Sequence, residues 1–283
     1  SLAARYKPLK RLTRLSSYEF ATIERKDVDG SEVLPEGTDT HTLNLTAQTR
    51  PFASLKLKGQ YEYKSVDDPA YNTEPEQSNQ LRLNATYAPL PWLTAFVDYV
   101  LTETEREVLR YLNALSRVLL EGGGRDGRSD RLTASLSCSV SEKATITGSW
   151  TYSRWDVEQD LSFAQWSGTG TGLPFIDFGS PYSDQANSFS LSFQYVPRED
   201  ITLTSEVVHT LSSGEFTPDT GLPLASFSTM DATETLFSVE LAKKMPRNWE
   251  VGLRFYSDTY DDESGAVLDG ELFVTTLTLK RYF

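Results

Sequence analysis

The stretch "LKLKGQYEYK", Leu55 to Lys64, sets Leu55, Leu57, Tyr61 and Tyr63 at one parity and Lys56, Lys58, Gln60, Glu62 and Lys64 at the other. Successive side chains of a strand point to opposite faces, so this is an extended segment with one apolar and one charged face. A face of three lysines has no place in a dry core, because an unpaired ammonium is too costly to desolvate. The charged face must meet water, and the apolar face must meet something else.

The same period recurs along the chain. Leu43, Leu45 and Ala47 alternate with Asn44, Thr46 and Gln48, and Leu81, Leu83, Ala85 and Tyr87 with Arg82, Asn84 and Thr86. Similar segments begin near Leu93, Leu132, Ile146, Phe189, Ile201, Phe237, Trp249 and Phe273, which makes about eleven clear strands. A twelfth is expected within "RLTRLSSYEFATIER", where the apolar face is either Tyr18 and Phe20 or Leu15, Ala21 and Ile23. The connections alternate in length: short at 50–52, 88–92, 141–143, 197–200 and 244–248, long at 25–40, 65–78, 104–129, 156–186, 212–233 and 258–269. Such sorting is foreign to a soluble sandwich but is what an outer-membrane barrel shows, with short periplasmic turns and long external loops.

The expected fold is all-β: one domain over 1–283, a transmembrane antiparallel up-and-down β-barrel of about 12 strands. Residues 1–10 read as a periplasmic N-terminal segment. Within the 105–128 loop, Leu109, Leu112, Leu115 and Leu119 recur at helical spacing before the Gly122 to Gly124 run, which predicts a short helix. No apolar run reaches the roughly 18 residues of a membrane helix, a test that does not touch barrels, whose strands alternate.

A soluble barrel with an apolar interior also alternates, so the sidedness needs separate evidence. Aromatic residues gather at the ends of the apolar faces: Tyr87, Trp92, Tyr195 and Trp249 toward the short turns, and Tyr61, Tyr63, Tyr99, Trp150 and Tyr152 toward the long loops. Two such girdles suit the headgroup levels of a bilayer. The final segment "GELFVTTLTLKRYF" places Phe273, Leu277, Leu279 and Phe283 at alternate positions and ends on an aromatic residue. In this it resembles Gram-negative outer-membrane β-barrel proteins, which implies an outer-membrane location, with Phe283 at the periplasmic interface. A narrower resemblance lies in the unit "PFASLKLKGQYEYKSVDD", a polar turn, a strand, Tyr-x-Tyr and an acidic loop, which looks like barrels of the MtrB/PioB type. Those barrels sheath multihaem cytochromes, so the resemblance implies a periplasmic or surface cytochrome as partner, with Arg5, Lys7, Lys10, Arg11 and Arg14 as a periplasmic contact.

Candidate chemistry is sparse. The net charge of -13 offers no basic stripe for phosphates, so nucleic acid is not an expected partner. The one cysteine, Cys138, can build neither a disulfide nor a structural zinc site, and no cofactor is expected. His41 and His209 stand apart from any Ser or Asp/Asn cluster, so no enzyme activity is assigned. "SGTGTGLP" at 167–174 reads as a flexible loop. Acidic groups in the loops (Asp67, Asp68, Glu74, Glu76; Asp156, Glu158, Asp160; Asp258, Asp261, Asp262, Glu263) read as solvated tips, or as carboxylates sharing divalent cations with lipopolysaccharide phosphates.

The lumen face is the expected functional surface. Arg50, Lys56, Lys58, Lys64 and Arg82 form a basic sector with Glu62 among them; Glu206, Glu240, Glu250 and Asp258 form an acidic one, with Arg254 close by. Two opposed sectors would set a transverse field suited to small polar or charged solutes. Three functions follow in order: a channel for such solutes, a scaffold that sheaths or docks a cytochrome, and a soluble barrel that binds an apolar ligand.

Overall fold

The computed structural model describes residues 1–9, 11–25, 35–112, 119–165, 173–217, 229–264 and 269–282. It is built of β1 (Leu2–Leu9), β2 (Leu12–Glu24), β3 (Gly37–Phe52), β4 (Leu55–Asp67), β5 (Gln77–Leu90), β6 (Leu93–Arg106), β7 (Leu109–Leu112), β8 (Leu119–Gly122), β9 (Arg125–Ser141), β10 (Ala144–Gln165), β11 (Leu173–Arg198), β12 (Ile201–Phe216), β13 (Thr229–Met245), β14 (Trp249–Asp262) and β15 (Gly270–Arg281). Thirteen strands form one antiparallel sheet in the order of the chain, with β7 and β8 set aside as a separate hairpin inserted between β6 and β9. This is the up-and-down wall of an outer-membrane-type barrel, with two- or three-residue turns at one end and longer connections at the other. β1 and β15 share no ladder with one another among the described residues.

Every expected strand is present, with one more than expected. Leu2–Leu9, read as a periplasmic segment, is instead a wall strand paired with β2, Leu2 opposite Tyr18 and Tyr6 opposite Arg14. The ambiguity in β2 is settled by register: Tyr18 lies opposite Leu43 and Phe20 opposite His41, on the apolar face, while Leu15 meets Thr46 and Ile23 meets Thr38 on the polar one. The predicted helix is not formed where the chain is described. Leu109–Leu112 pairs antiparallel with Leu119–Gly122, and residues 113–118 lie outside the described residues. Gly123 ends this hairpin at φ 74°, and a Cβ there would stand 2.6 Å from Cβ of Asp160. Glycine thus serves both the left-handed backbone and the close approach of β10.

The expected long loops are in part strand. The 156–186 connection is a continuation of β10 and β11, which stay paired from Asp156–Ser183 up to Gln165–Leu173. Past Tyr152 the apolar residues of β10 change phase, to Trp155 and Val157, so the alternation that marks a strand breaks while its ladder persists.

The ladder runs obliquely across the wall. The row through Tyr6, Arg14, Ala47, Gly59, Leu83 and Tyr99 continues through Leu132, Tyr152, Asn187, Leu211, Thr233 and Asp261. It begins near the short-turn end of β1 and reaches the loop end of β14, so the strands are tilted as a barrel wall requires.

The two faces differ in crowding. Apolar-face residues stand open, with Leu136, Leu191 and Leu253 at 52%, 57% and 50% exposure. On the polar face Thr38, Asp98, Arg106, Ser238 and Ala232 are all buried. The polar face is therefore the concave, crowded side, the reverse of a soluble barrel with an apolar interior. That arrangement corrects the expectation of an apolar ligand held inside.

Candidate functional site

The candidate site is the polar face, and register fixes what each of its charges meets. On β4, Lys58 lies between Gln48 of β3 and Asn84 of β5, Lys64 between Thr42 and Ser78, and Glu62 between Asn44 and Gln80; Lys56 faces Thr86. These neighbours are neutral, so the lysine heads are left to water instead of being spent in cross-strand pairs. Arg50 lies at the turn end of β3, in the bulged stretch between Thr49 and Phe52, where its backbone N–H donates to the carbonyl of Arg11 at 3.2 Å.

Arg82 is the exception. Its guanidinium donates from Nε to Oδ1 of Asp98 at 3.0 Å and from Nη2 to Oδ2 at 3.2 Å, and Asn84 Nδ2 also donates to Oδ1. The carboxylate is enclosed, with 9% of its side chain exposed, while 46% of the Arg82 side chain faces the open. Such a fork holds one cation fixed at the wall by a bidentate, charge-assisted contact. The sequence reading missed Asp98, although "FVDYV" places it in phase with the polar residues.

Between the charged sectors runs a field of hydroxyls. Thr133 and Thr151 are 3.2 Å apart, Thr147 donates to Ser137 at 3.0 Å, Ser149 and Ser190 are at 2.6 Å, and Ser188 and Thr210 at 3.0 Å. These pairs tie β9, β10, β11 and β12 by short neutral side chains, with Arg131 of β9 and Asp184 of β11 on the same face nearer the loop end.

The acidic sector follows. Glu206 lies between Ser192 and Ser238, and Glu240 between Thr204 and Arg254. Arg254 places its guanidinium 5.8 Å from the Tyr256 ring centre, and Tyr256 donates its hydroxyl to Oδ2 of Asp258 at 2.9 Å. Glu250 sits opposite Lys280 with 3.6 Å between Oε1 and Nζ, and accepts from the Tyr282 hydroxyl at 3.2 Å. Glu234, unremarked in the sequence, joins this sector between Thr210 and Tyr260.

The aromatic residues expected as girdles lie in phase with the apolar face, except Trp92, which is in the β5–β6 turn. Tyr87, Trp92 and Tyr195 stand at the short-turn end with 47%, 48% and 37% exposure. Trp249 stacks under Arg281 at 5.5 Å. Phe283 lies outside the described residues. At the loop end the aromatic tips find polar partners: Tyr61 donates to Asn79 at 2.7 Å, Tyr99 to Asp130 at 2.7 Å and Trp150 to Asn187 at 3.3 Å. Between the two levels β6 presents Leu93, Ala95 and Val97 up to Tyr99, and Leu101 beyond it lies opposite Asp130.

Directly above that level, an ionic ladder crosses the wall on the same face. Arg128 lies 3.5 Å from Glu103 and 2.9 Å from Asp130, and Arg154 lies 2.7 Å from Asp156. Burial pushes the Asp130 carboxyl up, but hydrogen bonds from Arg128 and Tyr99 and the charge of Arg128 outweigh it and hold it below its ordinary value. For Asp156, burial is likewise outweighed by hydrogen bonds from Arg154 and Ser183. Asp156, Glu74, Glu76 and Asp160, expected as solvated tips or cation ligands, are engaged within the chain: Glu74 accepts from the Ala70 N–H, Glu76 from that of Glu107 and Asp160 from that of Gly124. No cluster of three or more ligating side chains occurs among the described residues.

His41 contacts the Tyr18 hydroxyl at 2.6 Å and packs 4.9 Å from the Phe20 ring, and His209 contacts the Thr235 hydroxyl at 2.9 Å. Both lie on the apolar face, away from the hydroxyls of β9 to β12.

No family model and no curated protein matches the chain. Solved structures do. The copper transporter OprC superposes with a TM-score of 0.67 at 8% identity over 88% of this chain and 41% of its own. The siderophore receptor PiuA from Acinetobacter baumannii gives 0.64 at 7% identity over 90% and 46%. The ferric preacinetobactin receptor BauA from the same organism gives 0.58 at 11% identity over 95% and 44%. The likeness is one of fold, and the chain spans less than half the length of each of these proteins.

Proposed function

We propose that this chain forms part of the wall of an outer-membrane channel for small polar or charged solutes, with the polar face as its lumen. The carrying observation is segregation of charge: lysines between neutral neighbours on β4, a hydroxyl field on β9 to β12, and the carboxylates Glu206 and Glu234 between uncharged neighbours on β12 and β13. Cations left unpaired at a pore wall attract anions, and the opposite sector draws cations, so a permeant solute is oriented as it passes. The apolar face meets lipid, and Arg128 and Arg154 stand at the height of lipopolysaccharide headgroups. Detergent-extracted protein in a planar bilayer tests the reading. Steps of conductance are expected, with Lys56→Glu and Lys58→Glu together shifting selectivity toward cations. An unchanged reversal potential in a salt gradient would refute the role of that sector.

A second reading has its own support. The hydroxyl field of β9 to β12 offers close approach to a folded partner, as a wall that sheaths a cytochrome would need. A haem absorbance band that copurifies with the extracted protein selects this reading over the open channel.

A further inference from the structure

The two edges of the sheet run the same way. Short turns join β1 to β2, β3 to β4, β5 to β6, β9 to β10, β11 to β12 and β13 to β14, and the other connections lie at the opposite end. β1 and β15 therefore both run from the loop end to the short-turn end. Thirteen strands, each antiparallel to its neighbours, can lead to no other result. Direct contact between β15 and β1 would be parallel, unlike every ladder in the molecule.

Neither edge is built to face lipid. Hydrocarbon offers no hydrogen bonds, so an open row of N–H and C=O groups is not tolerated there. Exposed sheet edges are usually blunted by inward charges, bulges or proline. β15 instead carries Phe273, Leu277 and Leu279 on its apolar face at 63%, 74% and 64% exposure; β1 has Pro8 and a register shift after Tyr6 at its short-turn end, but toward the loop end it carries Leu2 and Tyr6 at 75% and 65%. These are among the most open apolar side chains of the wall, and they complete an apolar band only if strands continue beside them.

A second copy cannot supply the missing partner. In the same membrane orientation its β1 and β15 also run toward the short-turn end, so any edge-to-edge contact would again be parallel. The partner of both edges must run the opposite way, which requires an odd number of added strands.

We infer that an odd number of further strands, from a segment of the same polypeptide outside these thirteen, stands between β15 and β1 and completes an even-stranded barrel. The inference rests on strand polarity and holds whether the finished barrel conducts solutes or encloses a protein.

Cysteine pairs in the natural polypeptide, kept in outer-membrane fragments, test it. On a Cys138→Ser background, Ala4→Cys is combined in turn with Phe273→Cys, Thr275→Cys, Leu277→Cys and Leu279→Cys; Leu253→Cys with Leu277→Cys, which are register partners, is the control. Oxidation is expected to cross-link the control and none of the β1–β15 pairs. A disulfide in any of those pairs, within or between chains, overturns the inference. Hydrogen exchange on the unmodified polypeptide reads the same question without a variant. Amides of Leu2–Leu9 and Gly270–Arg281 are expected to exchange within tenfold of those in β9 and β10. Exchange a hundredfold faster at either edge overturns it.

Discussion

Asp98 shows how one side chain sets the character of a wall. It lies beneath Arg82 and accepts from both Arg82 and Asn84, so removal of its charge strands a guanidinium on a crowded face. Asp98→Asn is expected to lower stability by about 1.5–3 kcal/mol, the range for hydrogen bonds to charged groups, measured by denaturant unfolding in detergent. The same variant frees the Arg82 head and should shift channel selectivity toward anions. A second expectation concerns Asp130 in the ionic ladder. Its folded-state pKa is depressed, so its contribution is fully present above the ordinary carboxylate value of about 4 and is lost as pH falls below it. Melting curves between pH 6 and about pH 3 should show a loss that Asp130→Asn reduces. An identical pH dependence in the variant would remove this carboxylate from the ladder's energetics.

At the scale of elements, Arg106 joins two connections. It is 3% exposed and donates to the carbonyls of Val108, Tyr71 and Glu74, while Arg125 donates to that of Thr73. Because Arg106 lies on the polar phase of β6, the β4–β5 connection leans over the polar face. Arg106→Ala is expected to raise hydrogen exchange across residues 68–76 at least tenfold with β5 and β6 unchanged, because the loop alone loses its anchor. The β13–β14 turn offers a gain instead. Arg247 and Asn248 both have positive φ, at 64° and 61°. Left-handed backbone costs a non-glycine residue about 1–2 kcal/mol, of which glycine's freedom in the unfolded chain returns part. Arg247→Gly should therefore stabilise by up to about 1 kcal/mol, seen as a higher unfolding midpoint.

For the whole molecule, legibility follows continuity of phase. Where one face stays apolar and the other charged, as along Leu55 to Lys64, the period is plain and the strands are readable from the residues. Past Tyr152 the apolar phase of β10 switches sides, from Trp150 and Tyr152 to Trp155 and Val157, so a reading that follows one phase stops there. β1 hid for another reason: Arg5, Lys7 and Pro8 give "LAARYKPL" the look of a tail, although Leu2, Ala4 and Tyr6 keep the outward phase. The leucines of 109–119 show the reverse error, since spacing that suits a helix face also suits a hairpin with Leu112 opposite Leu119. Side-chain pairing such as Arg82 with Asp98 depends on register, which alternation alone does not supply. As a whole, the wall should migrate on gels as a heat-modifiable species and leave the membrane only with detergent; release by salt or carbonate would oppose a spanning barrel.

The β10–β11 hairpin carries a consequence of scale. From Tyr152 its ladder climbs 13 residues to Gln165, about 40 Å of paired strand. Ser183 donates to Asp156 across its foot. In the outer-membrane channel proposed above, this hairpin is the part that antibodies or surface proteases would meet first.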